Sequence, residues 1–275
     1  MDIKYGRKRS GIKKELTEKI NSWLKTITDE QLVKDIEADV IITGGSIASM
    51  LLGEPVNDFD LYFRNTQTAY KVASYYAAQQ KSLLAVTKLD DRVTIDVMGN
   101  GVVVTEKKET ESEAKKKYRP VFFSPNAITL TDKIQIITRF CGEPSEIHNN
   151  YDFVHATCYW DHAKKHLELP AEAMECLLSR TLIYQGSLYP IASIFRAKKF
   201  LQRGWRISAG QQLKIMWQIN ELDLTNMNVV KEQLTGVDML YLFELFAAIK
   251  DEENELVDST YIARLIDEIF DEGFT

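Results

Sequence analysis

The chain has no apolar run approaching the roughly 18 residues that a membrane span requires, and no charged-then-apolar leader at its start. A soluble protein of the cytoplasm is expected. Cysteine is scarce: Cys141, Cys158 and Cys176 are an odd number at wide spacings in 275 residues. A chain of this size does not need stapling, so reduced thiols within a core are expected rather than a disulfide framework. Positive charge is in deficit, with 34 Lys and Arg against 40 Asp and Glu, a net charge of −6. That balance excludes a protein that coats nucleic acid over its whole surface and leaves room only for a local basic face. Internal repeats are absent as well. What remains is 45% apolar and 27% charged residues, enough for one large domain or two small ones with cores of their own.

Hydrophobic spacing organises the chain. The start, through Arg9, is basic, whereas Leu16, Ile20, Trp23, Leu24, Leu32, Val33 and Ile36 recur at helical spacing between Lys13 and Ala38 and predict two amphipathic helices. The β-branched run DVIIT (39–43) stops at Gly44-Gly45, and SIASMLL (46–52) can turn as a helix until Gly53-Glu54-Pro55 ends it. DFDLYF (58–63) is then a strand, Thr66 to Gln80 a helix, and LLAVTK (83–88), RVTIDVM (92–98) and GVVVT (101–105) are strands. EKKETESEAKKKY (106–118), dense in both charges, reads as a solvated hairpin tip or loop. RPVFF, AITL and KIQIITRF continue the β-rich half to residue 140, and the rest has a mostly helical pattern. The expected fold class is α+β: a mixed β-sheet with flanking helices over residues 1–145, then a mostly helical domain over 146–275.

The chemistry gathers in GGSIASMLLGEPVNDFDLYF (44–63). Side chains two apart on a strand point the same way, so Asp58 and Asp60 share one face while Phe59 and Leu61 enter the other. Two like charges side by side are a cost in a purely structural strand, and a divalent cation turns the cost into a site. Mg²⁺ favours one or two carboxylates together with substrate phosphates. Gly44 and Gly45 let the backbone approach an anion, and Ser46 adds a hydroxyl beside the amides of a helix start. Asp96, the single acid in RVTIDVM, is the candidate third carboxylate. Asp58, Asp60 and Asp96 as metal ligands, with Gly44, Gly45 and Ser46 on a triphosphate, match in-line nucleotidyl transfer.

This stretch resembles the signature of the DNA-polymerase-β-like nucleotidyltransferase superfamily, and most of all the head domain of tRNA nucleotidyltransferases and bacterial poly(A) polymerases. Gly44, Gly45, Leu51, Leu52, Gly53, Asp58 and Asp60 fit that pattern in register, whereas its Arg-Asp pair is replaced by Ala48-Ser49. Looser likenesses follow in the family's order at YDFVHATCYW (151–160) and YPIASIFRAKKFLQRGW (189–205), the latter similar to the family's nucleotide-recognition helix. The resemblance implies an NTP such as ATP as substrate and Mg²⁺ as cofactor. It leaves the acceptor open among RNA, a protein side chain and a small molecule. The rival expectation is a non-catalytic scaffold of the same fold, an assembly or toxin-antitoxin component.

Arg196, Lys199 and Arg203 fall at i, i+3 and i+7 in the last segment and make one basic helical stripe, a candidate nucleotide contact or an ordinary solvated face. All four histidines, His148, His155, His162 and His166, lie within nineteen residues. Only His162 and His166 have a helical ligand spacing and no helix-borne Glu-His motif joins them, so zinc is not expected. His155 and Cys158 are expected to pack within a strand, and His162 and His166 to sit on an exposed turn.

Overall fold

The computed structural model describes residues 6–80, 84–97, 101–104, 117–224 and 226–233. Its contacts divide the chain into two compact units, Met1–Ser179 and Arg180–Thr275. The first opens with α1 (Arg9–Leu24) and α2 (Glu30–Asp39), the two helices that the apolar spacing predicts. Ile12, Leu16, Ile20 and Trp23 are fully buried on α1, and the Trp23 indole donates to the Tyr76 hydroxyl at 2.7 Å. The Asp29 carboxylate starts α2 by accepting from the amides of Gln31 and Leu32, both at 3.0 Å.

Next come β1 (Val40–Thr43), α3 (Gly45–Leu52), β2 (Phe59–Phe63), α4 (Thr66–Ala77), β3 (Val86–Lys88), β4 (Val93–Ile95) and β5 (Val102–Val103). They are followed by β6 (Pro120–Ser124), β7 (Ala127–Leu130), β8 (Ile134–Cys141), α5 (Pro144–His148), a 3-10 turn (Val154–Ala156), β9 (Tyr159–Asp161), β10 (His166–Glu168) and α6 (Ala171–Ser179). Eight of the described strands form one mixed sheet in the order β10-β9-β1-β2-β8-β7-β6-β5. The β1–β2 and β1–β9 pairs are antiparallel and β2–β8 is parallel. All four residues of β1 are buried, which is why its sequence is a continuous β-branched run rather than an alternating one. Beyond β2, Arg64 donates to both Glu143 and Asp161, at 3.1 and 2.7 Å, and so ties the end of the strand to α5 and β9.

Four sequence expectations are corrected here. The first compact unit runs to Ser179 rather than 145, because β9 and β10 complete the sheet beside β1 and the segment after 145 is not simply helical. RVTIDVM does not join that sheet: β4 pairs with β3 in a separate two-stranded ribbon and ends at Ile95. His162 is buried, not on an exposed turn; its ring lies beside the Trp160 indole, and only His166 is exposed. His155 is buried in the 3-10 turn and Cys158 just ahead of β9, neither inside a strand. The charged segment 106–118 lies, but for its last two residues, outside the described residues.

The second unit contains β11 (Thr181–Leu182), α7 (Pro190–Gln202), β12 (Arg206–Ile207), α8 (Ala209–Asn220) and α9 (Met227–Gln233). Strands β11 and β12 pair in parallel, and α7 packs against both α8 and α9. Tyr184 is buried at the centre, its backbone amide donating to the Gln211 side chain at 2.9 Å.

Candidate functional site

Gly44 ends β1 with φ 98° and ψ −157°, a conformation essentially restricted to glycine. The fold needs glycine there for a second reason. A Cβ at Gly44 would lie 3.0 Å from the Asp60 Oδ2 and 3.5 Å from the Tyr151 hydroxyl. Its amide donates to the Ala156 carbonyl at 3.1 Å, so the turn is pinned to the 3-10 turn and this amide is not available to a ligand. Gly45 is different: it is exposed and the space where a side chain would project is open. The amides of Gly45, Ser46 and Ile47 form the first turn of α3, where helical geometry leaves donors without intrahelical acceptors. The Ser46 hydroxyl is buried there and has no hydrogen-bond partner among the described residues. Gly53, left-handed at φ 71°, closes the helix, and the Glu54 amide donates to the Ser49 carbonyl at 2.8 Å.

Ala48 and Ser49, where the superfamily pattern has Arg-Asp, do not line an open surface. Ala48 is buried, and the carbonyl of Ser49 belongs to the helix cap.

The loop from Gly53 leads to Asp58, exposed immediately before β2, and then to Asp60 within the strand. Phe59 and Leu61 are buried, as the alternation requires, and the Phe59 amide is held by the Lys133 carbonyl at 2.8 Å. Burial, and then the neighbouring Asp58 charge, push the Asp60 carboxyl up to about 7. A carboxylate so disfavoured is one that a cation relieves. The donor set, two hard oxygen-bearing side chains two positions apart, fits Mg²⁺ completed by phosphate oxygens.

The structure therefore sets Asp60 against Gly44 where β1 ends and β2 begins, with Asp58 just ahead of β2 and with Gly45 and Ser46 at the start of α3. It does not bring Asp96 to them as a third ligand. Asp96 follows β4 in the separate ribbon with its side chain exposed and its amide donating to the Ala85 carbonyl at 2.8 Å. Among the described residues no group of three or more His, Cys, Asp or Glu side chains is arranged to hold a metal. The period-two pattern of RVTIDVM placed Val93 and Ile95 correctly in a core, but a period does not say which sheet a strand joins. In the second unit, Arg196 and Lys199 lie on α7, half-buried and exposed respectively. Arg203 caps that helix with its guanidinium 5.0 Å from the Phe200 ring centre.

Sequence reasoning missed the layer beside Asp60. Thr43 sits opposite Asp60 in the β1–β2 register. Its hydroxyl donates to the Cys158 carbonyl at 3.0 Å, so the His148 Nε2, 2.8 Å away, is the donor to Thr43. Burial drops His148 to about 4, which keeps the ring neutral. The Tyr151 ring lies 5.1 Å from His148 and 6.2 Å from Tyr62. Burial, followed by the charges of Tyr62 and Asp60, raises the Tyr151 phenol well above its usual range. Only the YDFVHATCYW segment hinted at this layer, since Tyr151 opens it.

A sequence profile described as "Gabija anti-defense 2 family protein" matches residues 14–180. The chain belongs to the Gabija anti-defense 2 family. The matched residues end where the first compact unit ends. A curated relative, Gabija anti-defense 2 of Bacillus phage SPbetaL7, is 23% identical over 248 residues, covering 89% of this chain and 53% of its own length. The chain thus spans about half the length of that relative. Among solved structures it is similar to a Thermotoga maritima CCA-adding enzyme complexed with tRNA, at 15% identity and TM-score 0.44, covering 92% of this chain and 68% of that one. It is also similar to a CCA-adding enzyme in complex with CTP, at 16% identity and TM-score 0.43, covering 93% and 65%. A third, the Bacillus stearothermophilus CCA-adding enzyme with CTP, is 14% identical with TM-score 0.42, covering 83% and 52%. Among the described residues no helix is long and apolar enough to cross a membrane.

Proposed function

We propose that this family member is a Mg²⁺-dependent nucleotidyltransferase of the cytoplasm that moves a nucleoside monophosphate from an NTP, ATP among them, to a hydroxyl of RNA or protein. Through that reaction it counteracts the Gabija defence named by its family. The observation that carries the reading is the Asp58–Asp60 pair beside the orphaned Ser46 hydroxyl, one acid held up at about 7 by burial and its neighbour.

Asp58 and Asp60 would hold Mg²⁺. Bound there, the ion supplies charge neutralisation to the triphosphate and lowers the pKa of an attacking hydroxyl. The remaining work falls to the chain. The exposed Gly45 lets the triphosphate approach the amides of the first turn of α3, whose dipole favours negative charge. The buried Ser46 hydroxyl lies behind that turn, and the exposed amides supply the phosphate contacts. Gly44 fixes the turn against Asp60, which sets the spacing between the carboxylates and the phosphate site. Asp96, exposed beyond β4, has no part in this arrangement, and Arg196, Lys199 and Arg203, on and after α7, form within the second unit a basic stripe of their own that suits a nucleotide or another polyanion.

A second reading has its own observations: the Arg-Asp positions hold Ala48 and Ser49, and among the described residues no third carboxylate joins the pair. On this reading the protein acts against Gabija as a non-catalytic scaffold that keeps the fold. Incubating the purified protein with labelled NTP, Mg²⁺ and cellular RNA and protein fractions separates the two. Mg²⁺-dependent label transfer that disappears in Asp58→Asn supports the enzyme. No transfer to either fraction, from a protein that still blocks Gabija, overturns it.

A further inference from the structure

We infer that Tyr151, braced by the Thr43–His148 pair and Tyr62, is the positioning residue for Asp60 and sets the affinity of the strand edge for a divalent cation. This rests on the reading of Asp58 and Asp60 as cation ligands. Three features of the geometry support it.

First, the Tyr151 hydroxyl and the Asp60 carboxylate flank the same bare glycine. A single added carbon at Gly44 would stand 3.0 Å from one and 3.5 Å from the other. Tyr151 is therefore a wall of the space in which the carboxylate can turn. The absence of a side chain at Gly44 is what lets the two groups share that space.

Second, Tyr151 is held from behind by groups whose protons are committed. Thr43 donates to the Cys158 carbonyl and accepts from His148 Nε2, and the Tyr151 hydroxyl is buried over the bare face of Gly44. The rings of His148 and Tyr62 pack against it, and Ile41 and Ile147 close the cluster. A phenol fixed on this many sides cannot swing away when Asp60 is pulled toward a cation, so the carboxylate is confined to fewer orientations. Outer groups that fix a ligand in this way typically change metal affinity by about 10–100-fold when removed.

Third, the elements that supply the layer differ from those that supply the acids. Thr43 comes from β1 and His148 from α5, while Tyr151 comes from the loop before the 3-10 turn. The register Thr43↔Asp60 makes the junction. Core packing alone would be satisfied by phenylalanine at 151, since the cluster around the ring is largely apolar. The hydroxyl is the part that packing does not explain.

The test uses the full chain and Mn²⁺ alone, read by electron paramagnetic resonance of the free ion, with thermal unfolding recorded in parallel. Wild type is expected to bind Mn²⁺ and Asp60→Asn to lose it. Tyr151→Phe, which keeps the ring, is expected to weaken Mn²⁺ by about tenfold with an unchanged melting temperature in the apo form. Thr43→Val should weaken it in the same direction and Thr43→Ser, which restores the hydroxyl, should recover it. If Tyr151→Phe binds Mn²⁺ as wild type does while Asp60→Asn does not, Tyr151 is a core residue only, the inference falls and the cation reading survives. If wild type and Asp60→Asn bind Mn²⁺ alike, both fall.

Discussion

The two compact units hold their polar residues on different terms. In Met1–Ser179 the functional candidates are embedded in a sheet: Asp60 is pushed up to about 7, Gly44 is fixed in a glycine-only conformation, and the Ser46 hydroxyl is buried. In the described part of Arg180–Thr275 the elements are short and the surfaces open. Among the residues of α8 only Ile215 is buried, while Leu213, Met216 and Trp217 are 54%, 62% and 66% exposed. Lys199 stands in water on α7. Chemistry needs groups held by packing, because a loose carboxylate is solvated and ordinary. The first unit packs around Asp60 closely enough to make an acid unusual, and the described second unit leaves Lys199 and one face of α8 in water.

The sharpest way to break that contrast is to remove an acid. Asp58→Asn and Asp60→Asn keep size but remove charge, so Mg²⁺-dependent NTP turnover should fall by at least about a hundredfold in each. Apo stability should hold or rise, because repulsion and desolvation are relieved. Turnover that survives Asp58→Asn would remove the first unit's claim to the chemistry.

Asp60 also predicts a pH dependence. Its folded pKa of about 7 stands above the ordinary 3.8, so between these values the folded protein holds a proton that the unfolded chain has released. Apo stability from this group is therefore lost as pH rises from about 4 through 7. His148, His155 and His162, depressed to about 4, act the other way: each costs stability as pH falls below 6.5. Wild type alone mixes the two trends. The difference in melting temperature between Asp60→Asn and wild type isolates Asp60, and it should be small at pH 4 and grow toward pH 8. A flat difference would mean that Asp60 is not desolvated.

The paired glycines should separate in kind. Gly44→Ala forces a side chain into a glycine-only conformation against Asp60, at a cost on the order of 1–3 kcal/mol in chemical unfolding. Gly45→Val puts its side chain into open space and should leave the fold intact, yet raise the KM for NTP by about tenfold by blocking approach to the amides. Equal stability losses in both variants would make the turn an ordinary one.

The smallest effect belongs to the second unit. Arg196→Glu should weaken nucleotide or RNA binding a few-fold, and wild-type affinity should decline with added salt. A titration indistinguishable from wild type at low salt would confine the site to the sheet.

Much of the sheet unit was legible. The apolar spacing gave α1 and α2, the β-branched run gave β1, and alternation put Phe59 and Leu61 inside, whereas β2 starts at Phe59 and leaves Asp58 just ahead of the strand. These are local properties, fixed by side-chain direction along a strand or helix. Asp96 was misread because the same alternation is satisfied in a two-stranded ribbon as in the main sheet. The boundary near 145 failed because β9 and β10 are three residues each, too short to show a period, and are strands only because β1 offers them an unpaired edge.

By itself the sequence determined that a glycine pair stands where a strand gives way to a helix and that Phe59 and Leu61 turn into the core, since both follow from backbone geometry over a few residues. Tertiary structure alone decided that Asp60 is desolvated, that Gly44 must be bare because Asp60 and Tyr151 stand over it, and that Thr43, His148 and Tyr151 meet there. Those residues lie up to 108 positions apart, from 43 to 151, and only the antiparallel register of β1 with β2 and the return of the chain through α5 bring them together. Desolvation is a property of everything packed around a group, and no stretch of sequence contains it.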